Sequence, residues 1–228
     1  EAINSVLKQT YKKFELLIIY DDESKDDIYF INKIISKDKR IKLIINKKNL
    51  GAGESRNKGI KLSKGKLIAF IDSDDIWHKD KLKKQLKFMS DKKIKLSHTY
   101  YKVINENKKM INIRKSKNKL TFSDLLKSCD IGLSTVILEK KLISNYFCFA
   151  NLKTKEDYVL WLKLSKKDHD FYVLNKPLSS WRKVENSLSS STIQKISDGL
   201  KVYFKFMKFN FFKSCFYLIR LSAYSLLR

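Results

Sequence analysis

Proline occurs once in 228 residues, glycine six times and cysteine three times. Supplies that small exclude collagen-like repeats, Pro/Gly-rich low-complexity linkers and a disulfide-framed secreted scaffold. Cys129, Cys148 and Cys215 are odd in number, far apart and in no CxxC or Cys/His arrangement. That removes the zinc-site spacings and leaves buried thiols in a reducing compartment. Arginine supplies only six of the 49 basic residues, without the arginine-rich or base-reading pattern that nucleic-acid recognition requires. Arg220 interrupts the best apolar run, so no stretch reaches the roughly 18 residues of a membrane-spanning helix.

What is present is ample core material: hydrophobic residues make up 43% of the chain and aromatics 12%. One globular unit is expected at this length. The formal net charge of +25 suits a polyanionic partner, whether nucleic acid, an anionic membrane or a phosphorylated substrate. A bias toward Lys, Ile and Asn also follows from an AT-rich coding sequence, so charge alone selects none of these. The opening EAINSVLKQTYKKF is charged, amphipathic and helical in pattern, unlike a signal peptide. The expectation is a protein that is not exported.

Ala2, Ile3, Val6 and Leu7 make a helical stripe, FELLIIY at 14–20 reads as a buried strand, and the acidic turn YDDESKDD follows. Ile28, Ile31, Ile34 and Ile35 indicate a helix, IKLIIN at 41–46 a strand, GAGESRNKGIKLSKG a helix ending near Gly65, and KLIAFI at 66–71 a third strand. Strands alternating with helices predict an α/β fold, a mostly parallel sheet with helices on both faces, which binds ligands beyond the carboxyl ends of its strands. Both acidic clusters, at 21–22 and 72–75, fall at such ends. Farther on come a helix at 79–90, a strand at 94–104, a basic loop or hairpin NKKMINIRKSKNK, a short helix at 121–127, a strand around STVIL at 134–138 and a helix from Glu156. Pro177 closes the strand FYVLNK, and a helical tail begins near 193.

In DSDD at 72–75, a carboxylate at a sheet's ligand edge can hold a divalent cation against a diphosphate. The alternative is a solvated loop whose Asp or Ser residues cap the next helix, and spacing alone does not choose. At this point the residues resemble a known family, the family 2 glycosyltransferases, inverting nucleotide-sugar enzymes of the GT-A fold. SVLKQTYKKFELLIIYDDESKDD is similar to that family's helix, second strand and DDGS-type loop. NLGAGESRNKGIKLSKGKLIAFIDSDD resembles its Gly-Arg-Asn helix and DxD turn, KEDYVLWLKL its acceptor-side ED helix, and WRKVENSLSS the segment closing over the site. The four occur in the family's order over residues 1–190.

The resemblance implies a role for each matching residue. Asp22, with Asp21, would bind the nucleotide base. Gly51 and Gly53 would allow close backbone approach, and Arg56 would meet the nucleotide or its phosphates. Asp72 would contact the donor's ribose or sugar, Asp74 would hold Mn²⁺ or Mg²⁺, and Asp75 would steady the turn. Asp157 would be the general base, with Glu156 as its support or substitute. Arg182 would reach across to the diphosphate. Trp161 reads either as acceptor-pocket wall or as core, and His78 as a structural or surface residue. The partners implied are a nucleoside-diphosphate sugar, most simply a UDP-sugar, and a glycan or lipid-linked glycan acceptor in surface polysaccharide assembly, with no nucleic acid.

Two features depart from the pattern. The family opens with an apolar strand that does not precede Glu1 here, so an exposed sheet edge is expected, and the loop reads DDES where glycine is usual in third position. Residues 1–190 would form the glycosyltransferase domain, its nucleotide-sugar half about 1–90 and its acceptor half about 91–190, with 191–228 a basic amphipathic tail. That tail would lie on anionic lipid at the cytoplasmic face of the plasma membrane, or pack on the domain or on a second copy in a homodimer. The rival readings are a non-catalytic nucleotide-binding protein of the same fold, a basic nucleic-acid-binding protein and a metal-dependent nucleotidyltransferase.

Overall fold

The computed structural model describes residues 1–144, 146, 148–184 and 191–226. The chain starts with α1 (Ala2–Leu7) and then runs β1 (Leu16–Tyr20), α2 (Ile28–Ile35), β2 (Ile41–Ile45) and α3 (Ala52–Leu62). β1 and β2 pair in parallel, from Leu16 opposite Ile41 to Tyr20 opposite Ile45, as expected of strands joined by a helical crossover. β2 is the one ladder partner of β1 among the described residues, and the apolar residues Leu16–Ile19 remain half-buried.

The second sheet is larger. It contains β3 (Leu67–Ala69), β4 (Ile76–Trp77), β5 (Leu96–Ile104), β6 (Met110–Arg114), β7 (Lys119–Leu120), β8 (Ile137–Glu139) and β9 (Phe171–Arg182). Its order is β3-β8-β5-β9-β4, with β6 on β5 and β7 on β9. The α/β class holds, but the pairing is less parallel than the sequence indicated: only β5–β9 is parallel here, and the other ladders are antiparallel. One of these ladders follows from a short connection. β5 and β6 form a hairpin closed at Asn105–Lys109, which settles the basic segment NKKMINIRKSKNK as a hairpin arm, whereas parallel neighbours need a long crossover.

Pro177 does not end its strand. β9 continues to Arg182, and the ladder with β5 shifts register on either side of Tyr100, which faces Pro177. A residue without an N–H is accommodated as a local irregularity.

Remaining helices cover this sheet: α4 (Lys81–Lys92), α5 (Phe122–Leu125), α6 (Glu156–Ser165), α7 (Thr192–Lys201) and α8 (Phe211–Leu226), with a π-helical turn at Val202–Phe206. α6 is the hub. Its sequence EDYVLWLKLS is apolar nearly all round, the pattern of a helix enclosed on every side, and Tyr158, Val159, Leu160, Trp161, Leu162 and Leu164 are fully buried. Trp161 meets Phe70, Phe149 and Phe171, so it belongs to the core. The tail shares that core through Val202, Tyr203, Met207 and Leu221. Two hydroxyls join them as well, Tyr158 and Tyr203 lying 2.9 Å apart.

No disulfide links the three cysteines, which are half-buried. Among the described residues no helix is long and apolar enough to cross a membrane.

Candidate functional site

At the carboxyl end of β1, Asp21 is committed to protein groups. Its Oδ1 accepts from Asn46 Nδ2 at 2.7 Å and from the Leu50 N–H at 2.8 Å, and its Oδ2 accepts from the Gly51 N–H at 2.8 Å. Gly51 has φ 82° and ψ 162°, a conformation open essentially to glycine alone. Asp21 therefore builds the loop that launches α3, whereas among the described residues the exposed Asp22 accepts from the Ser24 N–H, at 3.0 Å. Of the two acids, Asp22 is the one turned to solvent.

α3 is the joint of the site. A Cβ on Gly53 would lie 2.5 Å from the Ala150 carbonyl oxygen and 3.4 Å from Glu156 side-chain carbons, so the close approach this glycine permits is to the protein's own chain. Asn57 donates to the Phe149 carbonyl and accepts from the Phe149 N–H, each at 3.0 Å. Arg56, between them, donates to Asp72 Oδ1 at 2.8 Å and to Glu156 Oε1. Burial acts to lower the Arg56 pKa, but Asp72 and Glu156 outweigh it and hold the guanidinium charged. Arg56 thus joins a carboxylate that follows β3 to one that opens α6.

The DSDD turn is tied from several directions. The Asp72 N–H donates to Ser134 Oγ at 3.0 Å, the Asp75 N–H to the Asp72 carbonyl at 3.1 Å, and the Arg182 N–H to Asp75 Oδ1 at 3.1 Å. Asp75 is buried, and desolvation pushes its carboxyl up to about 7, with the Asp72 charge adding to the effect. Asp74 is exposed; its pKa is raised by desolvation and then by Asp72.

Arg182 does not reach over the site with a free guanidinium. Its Nε donates to the Asp74 carbonyl and one terminal nitrogen to the Glu106 carbonyl, both at 2.9 Å, and the other terminal nitrogen to Glu1 Oε2 at 2.5 Å. It clamps the turn from behind. Residues 185–190, most of the expected closing segment, lie outside the described residues.

Asp157 opens α6 beside Glu156, where the helix dipole favours acid. Its Oδ1 accepts from the Tyr158 N–H at 2.7 Å. Burial, and then the neighbouring Glu156 charge, pushes this carboxyl up to about 7, while Arg56 opposes the rise. The residue before α6, Lys155, sits at φ 62°, and its aliphatic chain lies by Gly199 of α7. His78 is exposed at the start of α4, its Nδ1 accepting from the Asp80 N–H, away from this acid group.

Among the described residues no set of three His, Cys, Asp or Glu is arranged to hold a metal ion. Mg²⁺-type ions are commonly held by one or two carboxylates together with substrate phosphates. Asp74 with Asp72 fits that second pattern, a cation arriving with its diphosphate. Asn46, Asn57 and Ser134 carry much of the geometry; Asn57 is the Asn of the Gly-Arg-Asn helix, and no motif singled out the other two. Asn46 shows only as a polar residue closing an apolar strand, and Ser134 has no sequence signal.

The family model for glycosyl transferase family 2 matches residues 1–147, and the chain belongs to that family. The fold is correspondingly the GT-A fold: *S. aureus* TarS residues 1–349, solved with UDP-GlcNAc, superposes with a TM-score of 0.71 at 21% identity, over 95% of this chain and 65% of that one. Among sequence relatives, the *Escherichia coli* UDP-Glc:alpha-D-GlcNAc-diphosphoundecaprenol beta-1,3-glucosyltransferase WfgD is 39% identical over 198 residues, 86% of this chain and 76% of that enzyme. The putative teichuronic acid biosynthesis glycosyltransferase TuaG of *Bacillus subtilis* is 33% identical over 95% of this chain and 86% of its own. An uncharacterized glycosyltransferase of *Rickettsia felis* is 44% identical over 170 residues, and there the chain spans 28% of the relative's length.

Proposed function

We propose that this chain carries the catalytic site of a metal-dependent, inverting glycosyltransferase that moves a sugar from a nucleoside-diphosphate sugar, most simply a UDP-sugar, to a glycan or lipid-linked glycan acceptor in surface polysaccharide assembly. The observation that carries the reading is the Asp72–Arg56–Glu156 bridge. It holds the end of the donor-side strand and the start of the acceptor-side helix in one ion-pair network, with Asp157 beside it.

Asp22 receives the base, and Asp72 the ribose or sugar. Asp74, with Asp72, would hold Mn²⁺ or Mg²⁺, which when bound would offset diphosphate charge. Arg56 holds Glu156 in place. Asp157 accepts the proton of the attacking acceptor hydroxyl while a new bond forms at the anomeric carbon, opposite the bond to diphosphate that breaks. The leaving nucleoside diphosphate carries away the bonding pair, so configuration inverts. A carboxyl near 7 suits a base that takes up a proton at neutral pH. The donor is made in the cytoplasm, so the site would work at the inner face of the plasma membrane.

The test is Asp157→Asn, assayed by nucleoside-diphosphate release with acceptor present. Turnover should fall by about 10²- to 10⁴-fold, while the thermal shift given by UDP-sugar with Mn²⁺ persists. Full turnover in the variant would overturn the assignment of the base. For the donor site, Asp74→Ala should abolish the Mn²⁺-dependent part of that shift; an unchanged shift removes Asp74 from cation binding.

A further inference from the structure

α8 has two apolar faces on opposite sides. Ser214, Tyr217, Leu218 and Leu221, spaced as one helical stripe, turn inward; Ser214 and Leu221 are buried, and Tyr217 and Leu218 pack on the core. Phe212, Phe216 and Ile219 make the opposite stripe and stand 84%, 57% and 68% exposed. Phe211, its ring 5.9 Å from that of Phe212, extends the patch at 58%, and Phe204 is likewise exposed, at 55%. One face has its partner within the protein and the other has none among the described residues. Contiguous exposed aromatics of this extent mark a docking surface.

Charge selects the partner. From Gly199 to Arg228 the sequence contains no Asp or Glu, whereas Lys205, Lys208, Lys213 and Arg220 are exposed along the same segment, and no ion pair is formed by these four among the described residues. Lys213 lies 4.3 Å from the Phe209 ring centroid and Lys205 5.7 Å from that of Phe206. Mixed aromatic and cationic composition on one face is the signature of a helix lying in a membrane interface. A second copy would bring a like-charged tail against this one within a pair of chains at +25 each, a repulsive arrangement. Among the described residues α8 is 16 residues long with Lys213 and Arg220 inside it, and it is not long and apolar enough to cross a bilayer.

We infer that the outer face of α8 with Phe204 docks on an anionic lipid bilayer, aromatic rings in the interface and lysines against lipid phosphates. The inner face then ties that surface to the site. Asp198 of α7 accepts from the Thr154 N–H at 3.0 Å, two residues before Glu156, and the Tyr203 hydroxyl meets that of Tyr158.

The experiment is co-sedimentation of the chain with vesicles of phosphatidylcholine alone and of phosphatidylcholine containing phosphatidylglycerol, at low and high salt. Binding should require the anionic lipid and fall with salt. Lys208→Gln with Lys213→Gln should weaken it by about 25-fold, about fivefold per lysine, and Phe212→Ser with Phe216→Ser by on the order of tenfold or more. Thermal unfolding of both variants should match the parent, because the replaced side chains lie on the exposed face. Equal binding to neutral and anionic vesicles, or no binding, overturns the inference. So does a concentration-dependent dimer that Phe212→Ser with Phe216→Ser abolishes, which would assign the face to a second copy.

Discussion

Two regions of the molecule are held by different physics. In the N-terminal β1–α3 region, α2 has no buried residue and exposes Tyr29 and Phe30, and the loop into α3 is fixed by Asp21, Asn46 and Gly51 through hydrogen bonds. Around α6, eight of the ten helix residues are buried, six with no exposure at all. One region is shaped by directional polar contacts, the other by close packing. Sensitivity to pH and salt should therefore separate them even where the loss of stability is equal.

The largest effect should come from Arg56→Met, which leaves Asp72 and Glu156 facing each other without the cation. Unfolding free energy should fall by about 3–5 kcal/mol at neutral pH. That loss should be smaller at high salt, and a variant as stable as the parent would show the bridge to be dispensable. Leu160→Ala removes packing alone. It should lower stability by about 2–5 kcal/mol, with little change between low and high salt in a denaturant titration.

Asp157→Asn should move stability the other way. Because folding raises this carboxyl from 3.8 to about 7, its contribution is fully present below the unfolded value and is lost as pH rises through about 7. Above pH 7 the asparagine variant should unfold later than the parent, by between about 1 and 4 kcal/mol, and below pH 4 the two should coincide. Parental turnover should fall about tenfold per pH unit below 7, as the base becomes protonated. Gly53→Ala has the smallest expected effect, about 1–3 kcal/mol from overpacking against the Ala150 carbonyl. It also tests the joint directly, since it should raise donor KM more than a substitution of equal destabilisation within α6.

How much of this was legible in sequence follows the same division. Periodicity located β1, β2, α3, α4, β5 and α6, because each buries a stripe or a run that leaves a pattern. It placed the acidic clusters at strand ends, where the structure has them. It missed β4, only Ile76–Trp77, and carried no sign that β9 runs through Pro177, because pairing across a sheet is a long-range choice. Within the site, residue types were legible and their partners were not. Asp21 and Asp22 are adjacent and identical, yet one is tied to backbone N–H groups 29 and 30 positions away and the other is exposed. Arg182 was expected at the diphosphate and instead holds the back of the DSDD turn, a role set by where β9 ends.

That clamp has a consequence for the order of events at the site. Asp72, Asp74 and Asp75 are each anchored through main-chain or buried carboxylate contacts to Ser134 and Arg182, so the protein's own groups hold the shape of the turn. On the proposed function, capture of a cation and donor there would require no local refolding, since the conformational entropy of the loop would be lost once, during folding, and not at each turnover. A calorimetric titration should accordingly show a small heat-capacity change for cation and donor together, the mark of a receptor that is finished in advance.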